Sequence, residues 1–190
     1  MNVLGMVTLQ DMAAKCEFCD LCKGRIEPVF ARGEPVHPVM ICGMCPGPEE
    51  NKAGSPFVGT AGKILNQILA ESFGLTFDGK SAVYITNLVK CFVQPGTPLE
   101  QEWMSSCLPY FVVQKQLLDP KVIITLGRDV ANFLLNNEEK MGDMRRNTYD
   151  YMGTKLIATY HPSYLARGGG INHKHYGRVV EDFNRAKEFV

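Results

Sequence analysis

The sequence lacks an excess of charge of either sign. Twenty Lys or Arg residues balance twenty Asp or Glu residues among 190, so the formal net charge is zero. This balance excludes a generally cationic protein that coats nucleic acid, although it leaves room for a local basic groove. With 45% hydrophobic and 21% charged residues, the composition is that of a globular protein rather than a disordered or fibrous one.

The sequence also lacks long hydrophobic runs, internal repeats and low-complexity tracts. No apolar stretch approaches the roughly 20 residues of a membrane-spanning helix, and the N-terminal segment has no basic region followed by an apolar core. We therefore expect a cytoplasmic protein without a membrane partner. No stretch resembles a linker, which predicts a single domain over residues 1–190, and nothing demands more than a monomer.

Seven cysteines, an odd number, argue against a disulfide framework in a chain without an export signal. Cys16 and Cys19 form a C-x2-C pair, and fifteen residues separate Cys91 from Cys107. Four thiolates from two distant pairs can hold an iron–sulfur cluster. The spacing therefore predicts a metal site but does not by itself fix which one.

A second C-x2-C pair, Cys42 and Cys45, offers alternatives. Combined with Cys16 and Cys19 it comes close to zinc-ribbon spacing. A thioredoxin-like redox role is weaker, because Pro and Gly follow the pair where a helix would have to begin. Buried structural thiols remain the simplest interpretation of Cys22 and Cys42.

Short apolar runs alternate with amphipathic stretches along the chain. The predicted strands are Val39–Cys42, Ala82–Ile85, Lys121–Leu126 and Leu156–Tyr160. The predicted helical stretches are Thr8–Lys23, Thr60–Phe73, Leu99–Leu118, Arg128–Leu135 and Tyr176–Phe189. This alternation predicts an α/β fold, a three-layer α/β/α sandwich around a mainly parallel sheet of roughly four strands. The charged segment 138–147 is expected to be a surface loop.

A Gly/Pro-rich loop follows the first predicted strand and ends near Thr60. Ligands bind at the carboxyl ends of strands in such sheets, and Gly43 and Gly47 would let a ligand approach the backbone closely. Phe57, before the next helix, is either a stacking platform for a base or a core residue. Asn87 ends the second predicted strand, where a polar side chain would enter a site.

His161 begins the segment HPSYLAR directly after a predicted strand. Because Pro162 favours an extended backbone at the preceding residue, the ring would project from a stiff loop and could donate a hydrogen bond to a developing oxyanion. A partly buried structural histidine is an equally good interpretation of this residue taken alone.

Four segments carry a resemblance to a known family: GMCPGPEENKAGSPFVGTAGKIL, YITNLVKC, CLPYFVVQKQLLDPKVIITLG and TYHPSYLAR. Their combination and order resemble the family 4 uracil-DNA glycosylases, the iron–sulfur branch of that superfamily, from Cys16 to the final helix. The resemblance implies an enzyme that flips uracil, or a related modified pyrimidine, out of DNA. It would hydrolyse the N-glycosidic bond and so start base excision repair.

The resemblance also assigns roles to individual positions. The family's cluster ligands fall on Cys16, Cys19, Cys91 and Cys107, which implies a [4Fe–4S] cluster near the N-terminal segment. The implied pocket residues have separate tasks: Phe57 stacks on uracil, Asn87 reads its edge, His161 stabilises negative charge on O2, and Glu50 lies beside the pocket and could align water. The loop residues expected to line the pocket are Gly43, Met44, Pro46 and Gly47.

The segment that follows His161 is expected to contact DNA. The resemblance places Ser163 and Arg167 at the DNA surface, with Leu165 as a wedge between bases. Lys174 and Arg178 are further candidates for phosphate contacts.

One departure from the family pattern affects the first motif. The family has an acidic residue after the first Gly of the loop, whereas this chain has Met44, and Cys45 replaces the small residue that follows. One hypothesis is a glycosylase that relies on leaving-group stabilisation, with Glu50 aligning water. The alternative is a DNA-binding or pyrimidine-modifying protein that has lost cleavage, in which Cys45 is a nucleophile or shapes the pocket. An interaction-only protein is a third hypothesis.

Overall fold

A computed structural model describes residues 3–34, 38–74 and 83–190. Within these ranges it contains six strands: β1 Ala31–Arg32, β2 Val39–Gly43, β3 Tyr84–Asn87, β4 Val122–Leu126, β5 Tyr149–Tyr151 and β6 Thr154–Thr159. The α-helices are α1 Val3–Ala14, α2 Pro48–Ala53, α3 Thr60–Phe73, α4 Gln101–Leu118, α5 Arg128–Leu135, α6 Met141–Met144, α7 Pro162–Arg167 and α8 Tyr176–Ala186.

The six strands form one sheet in the order β1-β3-β2-β4-β6-β5. The inner four pair in parallel, while β1 and β5 pair antiparallel at the two edges. The sheet is therefore mixed and has two more strands than the roughly four expected. Every residue of β2 and β4 is buried, as expected for parallel strands that are covered on both faces.

Side chains alternate between two hydrophobic cores, one on each face of the sheet. Val39 and Ile41 pack with apolar residues of α3 and α8, whereas Met40 and Cys42 face α1 and α4. Because successive strand residues point to opposite faces, one apolar run supplies both cores. The expected layers of helices on both sides of a sheet are thus present.

Several boundaries differ from those predicted. The first helix is Val3–Ala14 rather than Thr8–Lys23, so Cys16 and Cys19 follow the helix, and a short 3-10 turn covers Asp20–Lys23. Segment 138–147 is not simply a surface loop, because it contains α6 and the fully buried Met144. Ala82 lies outside the described residues. In the part of the chain that is described, no helix is long and apolar enough to cross a bilayer.

The parallel strands place their carboxyl ends at one edge of the sheet. Gly43 at the end of β2 pairs with Asn87 at the end of β3, and Leu126 at the end of β4 pairs with Thr159 at the end of β6. The residues that follow these strand ends therefore meet, and they include His161 two residues after β6.

Candidate active site

A cavity of about 810 Å³ opens at this edge of the sheet. Its lining comes from the β2–α2 loop, the ends of β3 and β4, and the segment from Tyr160 to Arg167. Most of the pocket residues predicted from the sequence line it: Met44, Cys45, Pro46, Gly47, Glu50, Phe57, Asn87 and His161. A cavity of this size is typical of a small-molecule site.

Asn87 brings a buried amide to the cavity without satisfying it. The residue is 1% exposed, and its Oδ1 has no hydrogen-bond partner among the described residues. Gly43 makes room for it: a Cβ on Gly43 would lie 2.3 Å from Asn87 Oδ1 and 2.7 Å from Phe57 Cζ. An unpaired buried carbonyl costs free energy, so this amide is suited to a ligand that supplies the missing donor.

Phe57 forms the aromatic wall of the cavity. Its backbone has a positive φ of +56°, which is uncommon for a residue with a side chain, and its carbonyl oxygen would lie 1.7 Å from a Cβ on Gly62. Its ring centroid is 5.8 Å from that of His161. Phe57 is 6% exposed and belongs to the hydrophobic core, which confirms the core interpretation, whereas its use as a stacking platform stays a prediction.

His161 is held in one orientation and one protonation state. Its Nδ1 accepts a hydrogen bond from the Ser163 backbone N–H at 3.0 Å and caps α7, so the proton of the neutral ring is assigned to Nε2. Burial, reinforced by nearby Arg167 and opposed by Glu50, lowers the pKa of His161 to about 4. At neutral pH the ring is therefore an uncharged donor through Nε2.

Glu50 is the anchor of the loop that surrounds the cavity. Its Oε2 accepts from the Gly47 N–H at 3.1 Å, and its Oε1 accepts from the N–H groups of Val58 and Gly59, both at 2.9 Å. Three backbone donors thus converge on one carboxylate and tie the two ends of the loop together. Oε1 accepts two of these bonds and Oε2 accepts one, so Glu50 has a structural task, and the water-aligning role considered from the sequence stays a prediction.

Met44 and Cys45 form an apolar part of the lining. Met44 is 8% exposed, and its carbonyl accepts from the Val89 N–H at 2.8 Å, so the parallel pairing of β2 and β3 continues into the loop. Burial, with a smaller contribution from Glu50, raises the pKa of Cys45 to about 11. The thiol is therefore protonated at neutral pH, which disfavours it as a nucleophile.

The four cysteines of the predicted cluster come together beside α1 and α4. Burial raises the pKa of Cys107, and Cys19 and Cys16 raise it further; the pKa of Cys91 is raised to about 11 by burial, with Cys107 and Cys19 contributing. Each of the four cysteines is therefore close enough to at least one of the others to influence a pKa, or to have its own pKa influenced. Among the described residues, however, no group of three or more Cys, His, Asp or Glu side chains is arranged to hold a metal ion.

The zinc-ribbon alternative brings together cysteines that do not interact here. Burial raises the pKa of the Cys42 thiol and nearby Lys90 opposes this rise, while Cys42 Sγ donates to the Gly43 carbonyl at 3.3 Å. Neither Cys16 nor Cys19 influences the pKa of Cys42 or Cys45. The zinc interpretation that uses these two pairs is therefore not supported by the fold.

The predicted DNA-facing segment is α7 and its flanks. Ser163 and the exposed Arg167 line the mouth of the cavity. Leu165 cannot act as the expected wedge in this arrangement, because it is completely buried in the core between α3 and the sheet. Two cations that the sequence reasoning missed, Arg128 and Lys140, also line the cavity. Arg128 could have been found, since it follows the end of a predicted strand, whereas nothing marked Lys140.

Comparison with known proteins agrees with this geometry. The family model described as Uracil DNA glycosylase superfamily matches residues 30–184. A Type-4 uracil-DNA glycosylase of Thermotoga maritima is 33% identical over 187 residues, which cover 97% of this chain and 94% of that protein. The protein of the same name from Saccharolobus solfataricus is 34% identical, with 95% and 84% covered, and that from Pyrobaculum aerophilum is 35% identical, with 84% and 83% covered. This chain therefore belongs to the uracil DNA glycosylase superfamily and, within it, to the type-4 branch.

Proposed function

We propose that this protein is a uracil-DNA glycosylase, which flips uracil out of DNA and hydrolyses the bond between uracil N1 and the sugar. The observation that carries the proposal is the buried, unpaired Asn87 Oδ1, which shares with the Phe57 ring the space beside Gly43 in a cavity that His161 also lines. The similar proteins from three organisms are all named Type-4 uracil-DNA glycosylase. These names support uracil-DNA glycosylase activity as the function of the site.

Asn87 supplies the selectivity for uracil. Its Oδ1 accepts the N3–H of uracil, and its amide nitrogen donates to O4. Cytosine offers an acceptor at N3 and a donor at C4, so both contacts would oppose the amide as it is oriented here. A site that pairs with a ligand's polar edge discriminates strongly against the analogue with the reversed pattern, because its buried groups are then unpaired.

His161 stabilises the leaving group. As the glycosidic bond breaks, its electron pair moves onto uracil and negative charge develops at O2, while positive charge develops on the sugar. The neutral imidazole donates its Nε2–H to O2 without transferring a proton. Removing one such donor typically lowers the rate by roughly 10²–10³. Water then bonds to the sugar carbon, and the proton it releases balances the charge of the uracil anion.

Phe57 and Gly43 shape the space for the flipped base. The aromatic ring provides a face on which a pyrimidine can stack in place of its neighbours in DNA, which offsets part of the cost of unstacking. Gly43 keeps the ring and the Asn87 amide close together, since any larger side chain would collide with both.

Substrate DNA would reach the cavity across α7. Arg128, Lys140 and Arg167 line the cavity and are exposed, so cations are available for the phosphates that flank a flipped nucleotide. This local arrangement provides the basic surface that the neutral overall charge does not.

Cys16, Cys19, Cys91 and Cys107 are the residues that would hold a [4Fe–4S] cluster. The fit is supported by the mutual electrostatic influence of the four thiols and by Arg25, whose Nη1 donates to Cys91 Sγ at 3.2 Å. A four-iron cluster also spaces its ligands more widely than a single ion does. When bound, it would cross-link the segment after α1 to the β3–α4 connection, through Cys91, and to α4, through Cys107. A brown preparation with broad visible absorption and bound iron and sulfide is expected, whereas a colourless protein containing zinc would exclude the cluster.

The central experiment is cleavage of an oligonucleotide that carries one uracil. The purified protein is incubated with single-stranded and double-stranded substrate, and released uracil and alkali-sensitive strand breaks are measured. We expect both products with uracil and neither with a matched oligonucleotide that carries cytosine. The variant Asn87→Ala should cleave much more slowly than wild type, at a residual rate that excess enzyme makes measurable, while retaining its affinity for uracil-free DNA. Binding without release of the base would instead support the alternative, a family member that has lost cleavage through Met44 and Cys45.

A further inference from the structure

Lys90 is a buried cation directly beneath the candidate active site. The residue is 2% exposed and is among the largest fully buried side chains of the described chain. A buried ammonium group is costly unless its donors are used, so the identity of its partners is informative.

Three oxygen atoms surround the ammonium group. Lys90 Nζ donates to Thr86 Oγ1 at 2.8 Å, to Gln114 Oε1 at 2.7 Å and, in a short contact, to the main-chain carbonyl of Asn87. All three donors are therefore used, and one of them holds the backbone of the residue that carries the unpaired amide. The Phe30 ring lies 5.7 Å from Nζ and closes the remaining side.

The partners of Lys90 are themselves fixed. Gln114 Nε2 donates to the Tyr84 hydroxyl at 2.8 Å, and Thr86 Oγ1 donates to the Phe30 carbonyl at 2.7 Å. A network in which each polar group is satisfied is rigid. The ammonium is consequently held in place by α4 and β3 together and cannot easily move away from Asn87.

Asn87 is the last residue of β3, where the ladder of main-chain hydrogen bonds ends. The following N–H, that of Leu88, still donates to the Gly43 carbonyl at 2.9 Å, but the Asn87 carbonyl receives Lys90 instead. The peptide between Asn87 and Leu88 is thus fixed at both ends. Its orientation sets the direction in which the Asn87 side chain leaves the backbone.

We propose that Lys90 is a positioning residue, which orients the amide of Asn87 for the base by holding the Asn87 carbonyl. This inference rests on the proposed function for its catalytic consequence. Lys90 also directly precedes Cys91, one of the proposed cluster ligands. The segment from Asn87 to Cys91 therefore connects the reading amide to the cysteine site along the chain.

The first test replaces the ammonium group without removing the length of the side chain. Lys90→Met should lower kcat/KM on uracil-containing DNA by about 10²-fold, since a displaced binding group can cost that much. Affinity for uracil-free DNA should not change. Lys115→Met is the matched control: Lys115 is 9% exposed and its Nζ donates to a carbonyl at 2.8 Å, but that carbonyl belongs to Met152 in the β5–β6 turn. The control should cleave at the normal rate.

A double-mutant cycle distinguishes positioning from a general structural role. If Lys90 acts through the amide, Lys90→Met should have no further effect on cleavage in an Asn87→Ala background. Additive losses would overturn the proposal. If Lys90→Met does not fold, Thr86→Val removes one of the three acceptors and should give a smaller loss of about tenfold with the same dependence on Asn87.

A readout without catalysis separates this proposal from the proposed function. In ¹⁵N-labelled protein, the side-chain amide signals of Asn87 are assigned by their loss in Asn87→Ala. They should shift in Lys90→Met, or in Thr86→Val, and stay unchanged in Lys115→Met. Unshifted signals would refute the positioning role even if the protein cleaves uracil. Shifted signals in a protein that never cleaves would support it and reject the glycosylase instead.

Discussion

His161 performs two tasks that one substitution can separate. Its Nδ1 caps α7 by accepting from the Ser163 N–H, whereas its Nε2–H is the donor proposed for uracil O2. Asparagine is among the best helix-capping residues, and its short amide reaches the cap position but not the position of Nε2. His161→Asn should therefore preserve the helix and remove only the catalytic donor.

The expected magnitudes differ for the two tasks. Loss of the donor should lower kcat by roughly 10²–10³. Loss of the cap in His161→Ala should cost about 1 kcal/mol more than His161→Asn, which corresponds to a melting temperature about 2–4 °C lower for a chain of this size. Both variants should have similar kcat, because both lack the donor.

Single-turnover cleavage and thermal unfolding of the three proteins, measured under one set of conditions, test the prediction. Wild type and His161→Asn should unfold at nearly the same temperature but differ in rate by the stated factor. If His161→Asn cleaved like wild type, the donor role would be wrong. If its rate fell only together with its melting temperature, His161 would be a structural residue.

The other predictions concern protonation, the loop, the cysteine site and the thiol. The pKa of His161 is lowered to about 4 from about 6.5 in an unfolded chain, so its contribution to stability is complete above pH 6.5 and is lost as the pH falls to 4, about 3 kcal/mol in total. Urea unfolding across this range should show the loss in wild type and not in His161→Asn. Glu50→Gln places an amide NH₂ against backbone donors, so the free energy of unfolding, measured with urea, should fall by about 1–3 kcal/mol and cleavage should be slower. Unchanged stability would contradict the structural role of these three hydrogen bonds. Arg25→Met removes the bond to Cys91, so bleaching of the visible absorption by a chelator should be faster than in wild type, and an equal rate would count against Arg25 as a support of the site. Cys45→Ala should cleave within about fivefold of wild type, as expected for a protonated thiol, and a covalent uracil adduct seen by mass spectrometry in wild type alone would reverse that conclusion.

The elements that the sequence predicted well are those with a strong local pattern. Helix α3 has the predicted bounds Thr60–Phe73, since its apolar residues recur at helical spacing and Gly74 adopts the left-handed conformation that ends it. The edge strands β1 and β5 have two and three residues, too few to show a period. The first helix was predicted too far along the chain, because Cys16, Cys19 and Cys22 have the spacing of three that is also found on one face of a helix.

For the site, residue identity predicted location better than role. Phe57, Asn87 and His161 line the cavity as expected, because each belongs to a motif at a strand end or before a helix. The roles of Glu50 and Leu165 depend on which atoms they meet in three dimensions. Leu165 and Pro162 lie three residues apart on the buried face of α7, which the short motif HPSYLAR is too brief to reveal.

The carboxylates that line the cavity are consistent with a reaction that needs no strong base. Two carboxylates line the cavity: Glu50 is bound to three backbone donors, and Asp129 is exposed and contacts Arg128 at 3.2 Å. A sugar with cationic character is a reactive electrophile, so water can attack it without complete deprotonation. In the proposed reaction the uracil anion leaves without a general acid, so a neutral His161 would suffice as its partner. The main task of the protein in this reaction would be to hold the base. The buried Asn87 amide and the Lys90 ammonium, which holds the Asn87 carbonyl, are suited to that task.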